Sequence, residues 1–349
     1  MTKFKFSQLS KNIKPFFIAE VGVNHEGSIF NAKKLIDAAV EGGANAVKFQ
    51  TYKAEKIAVK NSPYYWNIKK ESTKSQFDLF SKYDGFDFKE YKILAKYCQK
   101  RKVEFLSTPF DLDAVDFLNP LMSLFKISSS DITNFPLIEK IASKKKPIIL
   151  STGASSVKEI KEAINIIKKN KIKKIILMHC ILNYPTKNSD ANLNMIKSLQ
   201  REFPDCISGY SDHTMPSNYM QNLITAYLLG AKVIEKHFTL DKKKTGNDHY
   251  HSLNKKDLKL FNKKIEYITQ TLGANKKSFL KSEIKSRRNA RRSIVLNVDL
   301  IKGEKIQAKH LICKRPATGI SPKYFKKVIG KKIKKNIPSD TILKWNFLK

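Results

Sequence analysis

Acidic residues are scarce in this sequence. Only 31 Asp and Glu stand against 67 Lys and Arg in 349 residues, a formal net charge of +36. Such an excess invites a polyanion partner. Arginine, however, is rare before Arg287, and readers of bases and phosphates lean on arginine. Lysines such as Lys33-Lys34 and Lys168-Lys169 fall on helix-like faces, so a solvated basic surface accounts for them. Such a surface still draws anionic substrates. Nucleic acid is therefore not an expected partner, and a basic polyanion-binding barrel is the alternative from another class. Cysteine is also scarce. Cys98, Cys180, Cys206 and Cys313 are scattered with no CxxC pair, which excludes a disulfide framework or a zinc ribbon. Cys98 and Cys180 sit in apolar patterns and read as buried thiols. No run reaches the roughly 18 apolar residues of a membrane span. The start of the chain is polar and lysine-rich, so the expectation is a cytoplasmic protein without a membrane partner. No GxxxxGK[ST] loop is present, so a nucleoside triphosphate is not indicated.

What is present is alternation. Short, nearly continuous apolar runs occur at Phe16 to Gly22, Ala46 to Thr51, Glu104 to Phe110, Leu124 to Ser129, Pro147 to Thr152, Ile175 to Cys180, Cys206 to His213 and Val233 to Leu240. Amphipathic stretches with a period near 3.6 lie between them, among them Phe30 to Gly42, Ser155 to Lys169 and Ser217 to Leu229; Lys255 to Leu272 follows the last run. Strands that read as continuous apolar runs are parallel and covered on both faces. Eight such units predict an α/β fold, a (β/α)8 TIM barrel, with a doubly wound open sheet as the rival. A long polar segment with aromatic spots (Tyr64, Tyr65, Trp66) separates the second and third runs and reads as a substrate loop. The pattern predicts a barrel over 1–272, a Lys/Ser/Arg-rich linker over 273–290, and a small β-rich domain over 291–349. In that last domain Ser293 to Leu296, Leu311 to Arg315, Val328 to Gly330 and Ile342 to Trp345 read as short strands between turns.

Barrel chemistry sits at the C-terminal ends of strands, and alternate residues share a face. Those ends carry Glu20, Lys48 with Gln50, Thr108, Lys126 with Ser129, Ser151, Ser211 with His213, and Glu235 with His237. A charged side chain aimed into a barrel is costly without a partner or ligand. A set spread over most strands is therefore read as an active site. Lys48, Lys126, Thr108, Ser129, Ser151 and Ser211 supply cations and hydroxyls suited to phosphate or carboxylate. His213 and His237 end adjacent strands and face the same way, which places two imidazoles within reach of one divalent ion; core histidines are the alternative. Glu20 and Glu235 are the carboxylates available for proton transfer. Asp248, in the loop after the eighth strand, is placed to grip a polar substrate. His249 and His251 are weaker candidates, with solvated loop residues as the alternative reading.

Several long motifs in order resemble those of the sialic acid synthase family, the N-acetylneuraminate synthases and related nonulosonate synthases. They are IAEVGVNHEG (18–27), AVKFQTYKAE (46–55), STPFD (107–111), FKISSSDITNFPLI (125–138), PIILSTGAS (147–155), MHCILNYPT (178–186), SDHT (211–214) and EKHFTL (235–240). KRPATGIS (314–321) is similar to that family's C-terminal antifreeze-like (SAF) domain. The resemblance implies a transferase that condenses phosphoenolpyruvate with an amino-sugar aldehyde and releases phosphate by carbon–oxygen cleavage. It implies a divalent metal, Mn2+ or Mg2+, on His213 and His237. It implies that phosphoenolpyruvate meets Lys48, Thr108, Lys126, Ser129, Ser151 and Ser211. The sugar would meet Glu20, Gln50, Asp131, Tyr184, Asp248 and Arg315, and Glu20, Lys48, Glu235 and Asp248 would take the catalytic roles. A homodimer with a swapped SAF domain, each barrel borrowing Arg315 from its partner, is implied as well. The implied acceptor is N-acetylmannosamine, with the 2,4-diacetamido-trideoxyhexose of a legionaminate or pseudaminate synthase as the alternative. Departures fall on the sugar side: Ile181-Leu182-Asn183 before Tyr184, Asp131 where some members carry Glu, and GNDHYHS at 246–252 in place of a proline-containing loop.

Overall fold

The computed structural model describes every residue except 1–3, 10 and 247. The chain divides into two compact units, Met1–Leu272 and Gly273–Lys349.

The first unit is a parallel eight-stranded barrel. Its strands are β1 (Phe16–Gly22), β2 (Ala46–Thr51), β3 (Glu104–Pro109), β4 (Phe125–Ile127), β5 (Ile148–Ser151), β6 (Ile175–His179), β7 (Ile207–Asp212) and β8 (Val233–His237). β1 pairs with both β2 and β8, and β3 runs beside β4 to close the circle. A helix follows each strand, from Ile29–Gly42 after β1 to Lys255–Leu272 after β8. Their starts are written in the sequence. Ser28 accepts from the Asn31 N–H, and Ser156 and Glu159 form a reciprocal capping box ahead of Val157–Lys169. Within that helix Ile160, Ala163, Ile164 and Ile167 form the buried stripe.

Strand parity sorts the interior. Ile18, Ala46, Leu106, Leu124, Ile149, Ile176, Met178 and Val233 form one buried apolar cluster, to which Leu9 of the helix Phe6–Leu9 adds. Residues two further along β1, β2, β3, β5 and β8 are Glu20, Lys48, Thr108, Ser151 and Glu235, and Lys126 stands two beyond Leu124. The same inward face is thus apolar low in the barrel and polar at its C-terminal end. Residues of the opposite parity, such as Phe17, Val47 and Phe105, pack into the cluster shared with the covering helices.

β7 and β8 are also tied on their outward face. Asp212 and Lys236 are register partners and both fully buried. Lys236 Nζ lies 2.7 Å from Asp212 Oδ2 and donates to the Thr214 carbonyl at 2.7 Å. Asp212 Oδ1 accepts from Tyr210 Oη, the Thr214 N–H and Thr214 Oγ1. The pair therefore fixes the backbone that carries His213.

In the second unit, β9 (Ser293–Leu296) pairs antiparallel with β10 (Leu311–Lys314). Single bridges such as Val295 to Ile342 and Lys305 to Lys332 add the remaining β character. Val328, expected in a strand, ends the short helix Phe325–Val328, where its side chain buries in the unit's core. Residues 284–290 of the expected linker form a helix, Ile284–Ala290. No helix among the described residues is long and apolar enough to cross a membrane.

Candidate active site

The polar ends of the barrel strands converge on one cleft. Its inner part is lined by Glu20, Lys48, Gln50, Thr108, Lys126, Ser129, Ser151, Tyr184, Ser211, His213, Glu235 and His237, with Phe110, Ser128 and Cys180. Its outer part shares Gln50, Tyr184 and His237 with the inner one and adds Asp248.

Two ammonium groups and two carboxylates sit at the bottom. Lys48 Nζ lies 2.8 Å from Glu20 Oε2 and 3.7 Å from Glu235 Oε1, and donates to Thr108 Oγ1 at 3.1 Å. Lys126 Nζ reaches Glu235 Oε1 at 3.3 Å, where Ser211 Oγ also donates at 3.1 Å. Gln50 donates to the other Glu20 oxygen at 3.1 Å. All four ionisable groups are buried. Burial, opposed by Lys48 and reinforced by Glu235, lifts the Glu20 carboxyl to about 7. Burial acts on Glu235 too, but Lys126 and Lys48 outweigh it and hold its carboxyl below the usual range. An unused donor remains nearby: Ser151 Oγ is buried with no hydrogen-bond partner among the described residues, while Ser129 Oγ accepts from the Gly153 N–H at 2.9 Å. A desolvated set of this kind is suited to an anion that replaces the carboxylates as partner of the lysines.

Imidazoles stand above this quartet. The rings of His213 and His237 are 5.7 Å apart between centroids, with Tyr184 4.2 Å from His213. Burial pushes His213 down to about 4 and His237 well below its ordinary value, so both rings are neutral at pH 7. His213 Nδ1 lies 2.7 Å from the Ile181 carbonyl. A carbonyl only accepts, so Nδ1 carries the proton and Nε2 offers its lone pair. His237 Nδ1 is buried without a hydrogen bond among the described residues. Neutral imidazoles with available lone pairs fit a divalent ion. The loop after β8 also folds inward. Asp248 Oδ2 lies 3.6 Å from His237 Nδ1, and burial lifts the Asp248 carboxyl to about 7.

His249 and His251 are not solvated loop residues. His249 is buried with Nδ1 2.8 Å from Thr239 Oγ1, and His251 is fully buried beside His237. Their burial in a polar loop left no mark in the local sequence. Asp131 does not line the cleft. It ends the 3-10 turn Ser129–Asp131, where its carboxylate accepts from Asn134 and Ser130. Arg315 is exposed in the second unit, next to β10. Cys180 is the buried thiol expected, yet it also lines the cleft with Sγ 3.0 Å from Ser129 Oγ.

The outer wall comes from the insertion between β2 and β3, which places Tyr65, Leu79, Phe80 and Tyr83 opposite Asp248 and Gln50. The insertion is tied largely to itself. Trp66 Nε1 donates to the carbonyls of Glu71 and Thr73, and the buried Glu71 carboxylate accepts from the Thr73 N–H and from Lys82 Nζ at 2.7 Å.

A barrel that gathers buried lysines, hydroxyls and an imidazole pair at the C-terminal ends of its strands has the layout of an enzyme active site. The chain belongs to the NeuB family, whose model matches residues 35–277, and a SAF-domain model matches residues 291–349. It is therefore a synthase with a C-terminal SAF domain. It is 41% identical over 337 residues to N,N'-diacetyllegionaminic acid synthase of Campylobacter jejuni, covering 95% of this chain and 99% of that one. It is 33% identical over 331 residues to N-acetylneuraminate-9-phosphate synthase of Mus musculus, covering 93% and 90%. Among solved structures it matches the N-acetylneuraminic acid (sialic acid) synthetase of Leptospira borgpetersenii, crystallised with citrate. That match has a TM-score of 0.68 at 34% identity and covers 78% of this chain and 90% of that one.

Proposed function

We propose that the protein is a nonulosonate synthase that joins phosphoenolpyruvate to an N-acetylated amino sugar and releases phosphate. One observation carries this reading: Lys48, Lys126 and the hydroxyls of Thr108, Ser129, Ser151 and Ser211 share a buried cleft with the neutral pair His213 and His237. Phosphoenolpyruvate brings a phosphate and a carboxylate, which the two ammonium groups neutralise and the four hydroxyls orient. His213 and His237 would hold a divalent ion, which would supply Lewis-acid polarisation of the acceptor aldehyde. The enol carbon forms the new bond to the aldehyde carbon. Water then adds to the oxocarbenium carbon so produced, and the carbon–oxygen bond to phosphate breaks. Glu20, poised near 7 beside Lys48, takes the proton of the adding water, and the former aldehyde oxygen takes one from solvent in the outer cleft, where Asp248 helps to hold the acceptor. Glu235 holds Lys48 and Lys126 between turnovers. Gln50 and Tyr184, which line both parts of the cleft, position the sugar.

The acceptor is N-acetylmannosamine or a 2,4-diacetamido-trideoxyhexose. Likeness to the Leptospira synthetase supports the first, and 41% identity to the legionaminic acid synthase supports the second. In the same reading the protein works as a homodimer, and the partner's SAF domain lends Arg315 to each barrel. The test supplies phosphoenolpyruvate, Mn2+ and a panel of amino sugars and follows phosphate release. Release with one acceptor is expected, and its loss in His213→Ala and in His237→Ala. No release with any sugar would sink the reading. Mixing Arg315→Ala with Lys126→Ala chains should restore activity if sites are shared between chains, and no recovery counts against sharing.

A further inference from the structure

The loop after β8 buries an imidazole that no strand supplies. His251 has no solvent exposure, and its ring centroid lies 4.9 Å from that of His237. One ligand atom each from His237, Asp248 and His251 lie within 4.8 Å of one another. His213 stands near His237 as well, at 5.7 Å between centroids. We propose that His251 and Asp248 share the ion with His237, so that the centre offers three imidazoles and a carboxylate rather than two imidazoles alone.

The loop is built to hold these groups in place. The Leu253 N–H donates to the His237 carbonyl at 2.8 Å, and the Thr239 N–H donates to the Leu253 carbonyl at 2.8 Å. Ser252 Oγ donates to the Asp248 carbonyl and accepts from Asn24 Nδ2, which also donates to the Phe238 carbonyl at 3.0 Å. Tyr250 Oη donates to the Tyr184 carbonyl at 3.1 Å. The segment 248–253 is thus stitched to the residues that flank His237, and the donors are positioned before any ion arrives.

Donor chemistry then selects the ion. Mg2+ prefers an all-oxygen octahedron with several waters, whereas imidazole suits the later first-row dications. An imidazole-rich centre therefore holds Co2+ or Zn2+ more tightly than Mn2+ or Mg2+. This rests on the reading that a divalent ion works at His213 and His237, and it is tested by binding rather than turnover.

The chelator-stripped full-length protein is titrated with Co2+, followed by calorimetry and by visible d–d absorption, then challenged with excess Mg2+. His251→Ala and His251→Gln should each bind Co2+ about 10- to 100-fold more weakly with an altered spectrum. Tyr97→Phe, on the helix Phe88–Lys100, should bind as wild type, and Mg2+ should not displace Co2+. Circular dichroism confirms folding, and the glutamine variant decides if the alanine cavity unfolds the loop. Asp248→Asn, expected to weaken Co2+ in the same sense, decides if both histidine variants unfold. Unchanged Co2+ affinity and spectrum in a folded His251 variant overturn this proposal alone. A wild type that binds no divalent ion overturns the ion reading with it.

Discussion

His25 turns a local packing detail into a measurable pH dependence. It follows β1 and is almost wholly buried, with its ring stacked on Phe86 at 4.1 Å between centroids and 8° between planes. Its Nδ1 accepts the Gly27 N–H at 3.1 Å, which requires the neutral ring. Burial drags its pKa from 6.5 to about 4. The depressed value means that the unfolded chain binds a proton at a pH where the folded one refuses it. The neutral ring's stabilisation is complete above 6.5 and is lost as pH falls toward 4. Integrating that difference, folding loses about 2 kcal/mol between pH 7.5 and pH 5 through this one residue. The perturbation is His25→Phe, which keeps the stack and removes the titration. Urea unfolding of the wild type and variant at both pH values, without metal, gives the difference between them. That difference should move by about 2 kcal/mol in favour of the variant on acidification, whatever its size at pH 7.5. A difference constant to within about 0.5 kcal/mol would refute the reasoning, because burial would then not be excluding the proton.

Lys236→Met removes the cation behind β7 and β8 and leaves the Asp212 carboxylate buried. It should cost about 3–5 kcal/mol in urea unfolding, and a loss under about 1 kcal/mol would show the pair to be dispensable. Gly209→Ala on the inward face of β7 sets a methyl 2.8 Å from the Val233 carbonyl and into the Met178 side chain. It should lower stability by about 1–3 kcal/mol, readable as a drop in the melting temperature. Lys126→Met should raise the KM for phosphoenolpyruvate far more than that for the sugar, and equal effects on both would misplace the phosphate floor.

The barrel was legible because its physics is local. β1 and β2 end where their apolar runs end, and β8 stops at His237, short of the expected Leu240, because the chain turns to pair Phe238 with Leu253. The convergence of Glu20, Lys48, Thr108, Lys126, Ser151, Ser211 and Glu235 was legible for the same reason, since parity and strand end suffice to aim a side chain. Burial of His251 was not legible, because it depends on Ser252 and Asn24 meeting across 228 residues of sequence. Nor was the Asp212–Lys236 pair, whose members read as the outward neighbours of more conspicuous residues. Val328 shows the limit of short apolar runs, which serve a helix end as well as a strand.

The insertion between β2 and β3 holds itself together through Trp66, Glu71, Thr73 and Lys82, while the barrel strands beneath hold the bond-making groups. Under the proposed function, the wall that would meet the acceptor is thereby held apart from the floor that would bind phosphoenolpyruvate. Substitutions at Tyr65, Leu79 or Tyr83 alter a surface that no strand register depends on. Under the proposed function, selection for a new sugar would thus have a segment on which to act without disturbing the strands beneath.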